Sequence, residues 1–173
     1  AVAEAGGDMT KVNGDSIFPV LNMLNTKYFI FPLQVGQTVP VQNPYAYGNA
    51  WFVDKVTYAN NANEEIDEVG KLNLRHEAVA DAKFKEQLGQ SVPQDDTSMV
   101  KMIQYKPNNL TYEVKSSKGG VIVFSEIYYP GWTATVDGQP AELGRVNYIL
   151  RALNVKPGSH KVVLDFHPSS LKK

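Results

Sequence analysis

Short apolar runs recur roughly every ten residues in the second half of the chain, with turn signals between them. Seven such runs start at Met99, and turn residues such as Lys118-Gly119-Gly120 and Pro130-Gly131 separate them. Short runs at this regular spacing are typical of an all-β sandwich. The pattern predicts an antiparallel β-sandwich over residues 99–168.

The clearest turn signal in this half is Asp137-Gly138, which separates two short runs. An Asp-Gly pair favours a two-residue hairpin with both residues at positive φ. In the run before it, Trp132 lies on the same face as Ala134 and Val136, so we expect that face to meet the core. Tyr128 and Tyr129 fall on opposite faces, so we expect one of them to be exposed.

The pattern over residues 1–98 is mixed and predicts a smaller α/β portion packed on the sandwich. Asn61 with Glu64 three residues later is typical of a helix start, and Gly70 of its end. Ile66 and Val69 would form the apolar stripe of that helix, and its acidic run would be solvated. The other predicted elements are a loose start over 1–15, a short helix ending near Asn25, a buried strand Lys27–Phe31 closed by Pro32, a loop to Asn49, a strand Ala50–Ala59, a strand Arg75–Ala80, a helical turn over 82–88 and a polar linker over 89–98.

These elements together predict a mainly β protein of the α+β class. The N-terminal α+β portion covers 1–98, the sandwich covers 99–168, and the two are expected to form one compact unit.

Composition narrows the function classes. Lysine and arginine number 17 and aspartate and glutamate 18, so the net charge is -1 and no basic cluster favours nucleic acid. The chain has no cysteine, which excludes disulfides and thiolate chemistry. No apolar stretch is long enough to span a bilayer. The abrupt ends lead us to expect a piece of a longer protein.

Catalytic and metal-binding motifs are absent from the sequence. His76, His160 and His167 lack the spacing of metal ligands, and Ser125 lacks the flanking glycines of a nucleophile elbow. We therefore predict no metal, no cofactor and no catalytic residue in this chain.

Two aromatic clusters are the candidate binding residues. Tyrosines and tryptophans suit sugar faces because they combine a flat apolar ring with a polar group. The same residues could instead turn into the core or pin a loop to a sheet edge, which is the commoner role of such aromatics, so both interpretations stay open. The candidate carbohydrate-binding residues are Tyr128, Tyr129, Trp132, Asp137, Asn43, Tyr45 and Tyr47.

Four stretches in order resemble the C-terminal extracytoplasmic region of the YfhO-type bacterial membrane proteins, in the form found in Bacteroidetes. They are LNMLNTKYFI, NPYAYGNAWFV, VIVFSEIYYPGWTATVDG and RVNYILRALNVKPGSHKVVLDFHP. The likeness runs from about Asp15 to Ser169, nearly the whole chain.

The resemblance implies where the domain is located in the cell, and it assigns no catalytic residue to this chain. Members of this family are polytopic membrane proteins similar to GT-C glycosyltransferases, which use lipid-linked sugar donors. Relatives in some Gram-positive bacteria glycosylate cell-wall polymers. The acidic catalytic residue of that class lies in a loop near the N-terminal membrane helices, which this chain lacks. The resemblance therefore implies a periplasmic domain that is not itself an enzyme.

Three hypotheses of function follow. The first is a non-catalytic accessory domain of a glycosyltransferase-like membrane protein, which binds an acceptor glycan of the cell envelope. The second is a structural domain that docks on the membrane helices of the parent protein. The third is a carbohydrate-active enzyme, which would need two carboxylates facing each other across a cleft.

Overall fold

The computed structural model describes residues 17–34 and 36–168, and the predicted loose start over 1–15 lies outside them. The chain divides into two compact units between Gly48 and Asn49. The strands are β1 (Tyr28–Gln34), β2 (Gln37–Gln42), β3 (Ala50–Val53), β4 (Lys55–Ala59), β5 (Glu77–Asp81), β6 (Met99–Lys106), β7 (Asn109–Ser116), β8 (Gly120–Ile127), β9 (Trp132–Val136), β10 (Gln139–Ala141), β11 (Gly144–Val146), β12 (Leu150–Val155) and β13 (Gly158–Phe166). The helices are α1 (Pro19–Met23), α2 (Ala62–Val69) and α3 (Lys85–Leu88), with a 3-10 turn at Ala82–Phe84 just before α3.

The second unit is built on a β-sandwich, which confirms the predicted fold class. One sheet has five strands in the order β10-β9-β13-β7-β6, and the other has four in the order β11-β12-β8-β3. All neighbouring strands in both sheets are antiparallel. The core between them is formed by Leu110, Tyr112, Val114, Ile122, Phe124, Ala134, Leu153, Val155, Val162 and Leu164.

Alternation along the strands explains which residues enter this core. In β7 the core residues are Leu110, Tyr112 and Val114, two positions apart, while Glu113 between them is exposed. The Asp137-Gly138 hairpin joins β9 to β10 with φ values of 52° and 80°, as predicted for a two-residue turn.

The four-stranded sheet is buried on both faces. In β8, Val121 and Val123 point away from the sandwich core and are as fully buried as the core residues. The residues that cover this outer face include Leu88 of α3, whose carbonyl accepts a hydrogen bond from Asn154 Nδ2 at 2.7 Å. A Cβ at Gly144 would lie 2.7 Å from the Leu88 side chain, so this position of β11 has room only for glycine.

The strand predicted over Ala50–Ala59 is two strands that join different sheets. The break is at Asp54, whose backbone N–H turns to the His76 carbonyl at 2.7 Å. β3 then pairs with β8 in the sandwich, while β4 pairs in parallel with β5. Helix α2 is the crossover connection between β4 and β5. Strand β3 thus belongs to a sandwich sheet although it precedes residue 98, the predicted end of the N-terminal portion.

Helix α2 begins and ends where the sequence predicts. Its N-cap Asn61 accepts a hydrogen bond from Glu64 N at 3.0 Å, and Gly70 is its C-cap. The predicted solvated acidic face is wrong at one position, because Glu65 is wholly buried whereas Ile66 is 51% exposed. The Glu65 carboxylate accepts hydrogen bonds from Arg145 Nη2 at 2.7 Å and Tyr148 N at 2.9 Å, and these bonds offset the cost of burying it.

The elements after α2 also follow the prediction. The strand expected over Arg75–Ala80 is β5, and the helical turn expected over 82–88 is the 3-10 turn followed by α3. Asp81 accepts a hydrogen bond from Lys83 N and so caps the 3-10 turn.

The first unit differs more from its prediction. Helix α1 is present and Asn25 follows it at φ 56°, but β1 continues through Pro32 and pairs with β2, inside the segment predicted as a loop. The strand is not buried, since Ile30 is 72% exposed. A two-stranded hairpin has only edge strands, and an edge strand tolerates proline.

Candidate functional site

The segment 128–131 connects the two sheets of the sandwich, since β8 lies in one and β9 in the other. Backbone hydrogen bonds hold it at both ends, from Tyr128 N to Ile149 O at 2.7 Å and from His167 N to Gly131 O at 2.7 Å. Gly131 has φ 102°, and a Cβ there would lie 3.0 Å from the Phe166 ring. The predicted Pro-Gly bend therefore brings its aromatic neighbours to one place.

These neighbours line a cleft of about 290 Å³ at this end of the sandwich. Tyr128, Tyr129 and Trp132, three of the sequence-predicted candidates, all contribute to its wall. The remaining lining residues are Gln87, Pro130, Gly131, Glu142 and Leu143. The volume is close to the lower end of the range for small-ligand pockets, about 300 Å³. We call this the aromatic cleft.

The two tyrosines keep accessible rings. Tyr129 is 62% exposed and Tyr128 is 36% exposed, so both are accessible where one was expected. The Tyr128 ring is supported by an edge-to-face contact with Phe84, 5.8 Å between centroids. Tyr129 lies 6.3 Å from the Phe166 ring. Supported yet accessible rings are suited to stacking against a flat apolar ligand face.

Trp132 is half-buried and packs against the sandwich core, as its strand pattern predicts. The carbon of the Arg151 guanidinium lies 4.0 Å from the centroid of its ring, a cation–π contact. Phe166, its partner in the β13–β9 register, lies 5.2 Å away. One face of Trp132 is thus occupied from inside, and the ring is held rigidly at the wall of the cleft.

Arg151 is itself fixed by an ion pair. Its Nη2 donates to Glu126 Oε2 at 2.7 Å, and its side chain is 1% exposed. Glu126 lies in a β-bulge of β8. Phe124 pairs with Arg151 and Ile127 pairs with Leu150, so β8 takes three residues where β12 takes one. Burial lowers the pKa of Arg151, and the Glu126 carboxylate opposes that shift. Bulges re-aim side chains, and this one places a carboxylate beside a buried cation.

Asp137 is not part of the aromatic cleft. It lies at the opposite end of β9 from Trp132, in the β9–β10 turn. Its carboxylate accepts hydrogen bonds from Lys161 N at 2.8 Å and pairs with His160 Nδ1 at 2.7 Å. These bonds lower the pKa of Asp137 and raise the pKa of His160. The role of Asp137 in the structure is to fix the turn.

The other three candidates belong to the first unit. Asn43 is buried, and its Nδ2 donates to Asn22 Oδ1 and to the Thr26 carbonyl, both at 2.8 Å. Tyr47 is also buried, and Tyr45 is half-buried. Asn43 and Tyr47 therefore offer no open surface to a sugar. Their burial favours the alternative interpretation of this cluster, in which the side chains fix the loop.

A larger cleft of about 520 Å³ lies elsewhere in the second unit. Asp54 is at its wall, where its carboxylate accepts from Gln94 N at 2.8 Å and contacts His76 Nδ1 at 2.8 Å. Asp95 accepts hydrogen bonds from Ser117 and Thr97, which lower its pKa. The hydrogen bonds of Asp54 and Asp95 therefore hold the segment 94–98 in place.

Comparison with known protein families gives a match. The family model described as bacterial membrane protein YfhO matches residues 63–173, more than half of the chain. The chain belongs to the YfhO family. No curated protein and no solved structure matches it. The matched range includes α2 apart from its first residue, β5 and every strand from β6 onward, and so contains all of the aromatic cleft.

Membership in a membrane-protein family supports a membrane-associated accessory role for this YfhO domain. Within residues 17–34 and 36–168, no helix has the length and apolar character to span a bilayer. Over the same ranges, no three histidine or carboxylate side chains come together as metal ligands would.

Sequence reasoning missed several residues that build the cleft of this YfhO domain. Gln87 and Glu142 line it from α3 and from the segment after β10, and neither carries a motif. Arg151 and Glu126 did leave a signal, because each is a charged residue inside an otherwise apolar run. Their pairing depends on β12 lying beside β8, and that neighbourhood cannot be obtained from the spacing of the runs.

Proposed function

We propose that this domain is a non-catalytic accessory domain on the extracytoplasmic side of a YfhO-family membrane protein, and that it binds an acceptor glycan of the cell envelope at the aromatic cleft. Family membership supports the membrane context. The observation that carries the binding role is the convergence of Tyr128, Tyr129 and Trp132 on one cleft. Aromatic rings beside polar side chains are a common arrangement in sugar-binding sites.

The polar groups of the cleft favour binding over hydrolysis. Among the residues that the structure describes, Glu142 is the one carboxylate that lines the cleft. Glu126, nearby in the chain, is engaged with Arg151. A glycosidase of the usual kind needs a pair of carboxyl groups about 5 to 10 Å apart across the scissile bond. The cleft presents a stacking surface without that pair.

The proposal is tested by measuring the affinity of the domain for oligosaccharides by calorimetry. We expect weak, saturable binding that Tyr129→Ala reduces at least about five-fold, since stacking contacts of this kind contribute roughly 1 kcal/mol. Tyr105→Ala is the matched control, because Tyr105 is 68% exposed on β6 and lies outside the cleft. Equal loss in both variants, or no binding to any oligosaccharide, would contradict the proposal.

A second candidate function rests on the first unit. One face of the β1–β2 hairpin carries Tyr28 and Ile30, which are 59% and 72% exposed, with Pro40 opposite Ile30. Apolar side chains exposed side by side are typical of a docking surface. We propose that this face packs on the membrane helices of the parent protein.

Substitution of Ile30 by serine in the parent protein tests this second role. We expect the parent protein to lose thermal stability in detergent while the isolated domain keeps its own unfolding midpoint. Ile66→Ser is the matched control, because Ile66 is 51% exposed on α2 and lies outside the β1–β2 hairpin. An equal change in the parent protein and the isolated domain would argue against docking.

A further inference from the structure

Two side chains of the aromatic cleft, Gln87 and Glu142, can accept a hydrogen bond from a ligand through their oxygens. Gln87 Oε1 is buried and has no hydrogen-bond partner among the described residues. Glu142 is exposed, and within the same residues it forms no ion pair or hydrogen bond. A buried acceptor without a partner costs free energy, and a ligand that donates a hydrogen bond to it recovers that cost.

The charge of the cleft wall is negative. Arg151 lies over the Trp132 ring, and its charge is balanced by Glu126 at 2.7 Å. Lys83 lies over the Phe84 ring and is paired with Asp81 at 3.3 Å. Among the described residues that line the cleft, Glu142 is the one that carries a charge.

Aromatic rings beside an unbalanced carboxylate favour a cation over an anion. The faces of the tyrosine rings attract positive charge, and the Glu142 carboxylate adds a Coulomb attraction of the same sign. A uronic acid or a phosphate in the same place would be repelled by Glu142 and would offer no hydrogen to Gln87 Oε1 if it met that atom with its anionic oxygens. The cleft therefore discriminates between saccharides by charge as well as by shape.

We infer that the aromatic cleft takes a saccharide carrying a free amino group, and that Glu142 determines this specificity. The ammonium group contacts the Glu142 carboxylate, the apolar face of the sugar ring lies on Tyr129, and a hydroxyl donates to Gln87. This inference rests on the proposed glycan-binding function and narrows its substrate class.

The test compares three oligosaccharides of equal length at mildly acidic pH and low ionic strength: glucosamine, N-acetylglucosamine and galacturonic acid oligomers. We expect the glucosamine oligomer to bind about five-fold more tightly than the N-acetylated one, the effect of one partly exposed charge contact with aromatic support. The galacturonic acid oligomer should bind most weakly.

Variants then assign the preference to one residue. Glu142→Gln should bring the affinities for the first two oligomers together, whereas Glu113→Gln, an exposed carboxylate on β7 outside the cleft, should leave the five-fold ratio unchanged. Equal binding of the two oligomers by the unmodified domain, or a ratio that survives Glu142→Gln, would overturn the amino-sugar specificity and leave glycan binding standing. Failure of all three oligomers to bind would overturn both.

Discussion

Arg151 determines where the Trp132 ring lies, because the guanidinium covers one face of the ring and Glu126 holds the guanidinium. The surroundings are largely apolar, and burial also raises the pKa of the neighbouring Tyr112 hydroxyl. A buried charge whose partner is removed is costly, whereas removing both partners costs much less. Arg151 and Glu126 therefore act together in holding the Trp132 ring in place.

We expect Glu126→Gln to lower the free energy of unfolding by about 3 kcal/mol, because it leaves the buried Arg151 guanidinium without its anion. The double variant Arg151→Met with Glu126→Gln should recover at least about 1 kcal/mol of that loss. Urea unfolding followed by circular dichroism measures both values. Losses that simply add would contradict the coupling.

His160 and Asp137 give the β9–β10 turn a pH-dependent stability. The hydrogen bond that His160 Nδ1 donates to Asp137 raises the pKa of His160 above 6.5, so its contribution is complete below pH 6.5 and is lost as the pH rises through the raised value. The same bond lowers the pKa of Asp137 below 3.8, so its contribution is present above pH 3.8 and lost on further acidification. Together they stabilise the fold most between these two values.

The difference in unfolding midpoint between the unmodified domain and His160→Asn should thus be largest near pH 5 to 6, roughly midway in this window, and should shrink towards about pH 9. Thermal unfolding across that range measures it. His167→Asn, an exposed histidine next to β13, serves as the control. A difference that grows with pH would contradict the pairing.

Helix α2 depends on its N-terminal cap, since it has only eight residues and one of its two buried side chains is the charged Glu65. Asn61 accepts from Glu64 N, while the Glu64 carboxylate accepts from Asn60 N at 2.9 Å. Such reciprocal bonds satisfy amide groups that the helix itself cannot. The cap was predictable because both partners lie within four residues of each other.

Asn61→Ala should lower the free energy of unfolding by about 1 kcal/mol. Asn63→Ala is the matched control, because Asn63 is exposed in the first turn and alanine is the better helix former. Urea unfolding of both variants decides the point, and an equal or larger loss in Asn63→Ala would show that the cap is not what stabilises α2.

For the molecule as a whole, the sequence predicted those features that depend on local signals. The sandwich strands, the Asp137-Gly138 hairpin and the cap of α2 each follow from residues close together in the chain. The break at Asp54 was missed because a continuous alternation cannot show that a strand changes sheets. The burial of Glu65 was missed because its partner, Arg145, is 80 residues away.

The same distinction between local and long-range signals applies to the residues of the candidate site. The structure brings Tyr128, Tyr129 and Trp132 to one cleft because one bend holds these neighbours in sequence. Asn43 and Tyr47 were predicted as sugar-binding residues from their residue type alone. Both are buried, so their side chains are not open to a ligand. Gln87 and Glu142 reach the cleft through tertiary packing, which only the structure shows.

The two tryptophans provide the most direct test of glycan binding at the aromatic cleft. Trp132 lines that cleft and Trp51 lines the larger one, so their indole N–H signals in a nitrogen-15 correlation spectrum report separately on the two places. On addition of glucosamine or N-acetylglucosamine oligomers, the Trp132 signal should shift in a saturable way while the Trp51 signal stays. A shift confined to Trp51, or no shift in either signal, would contradict the account.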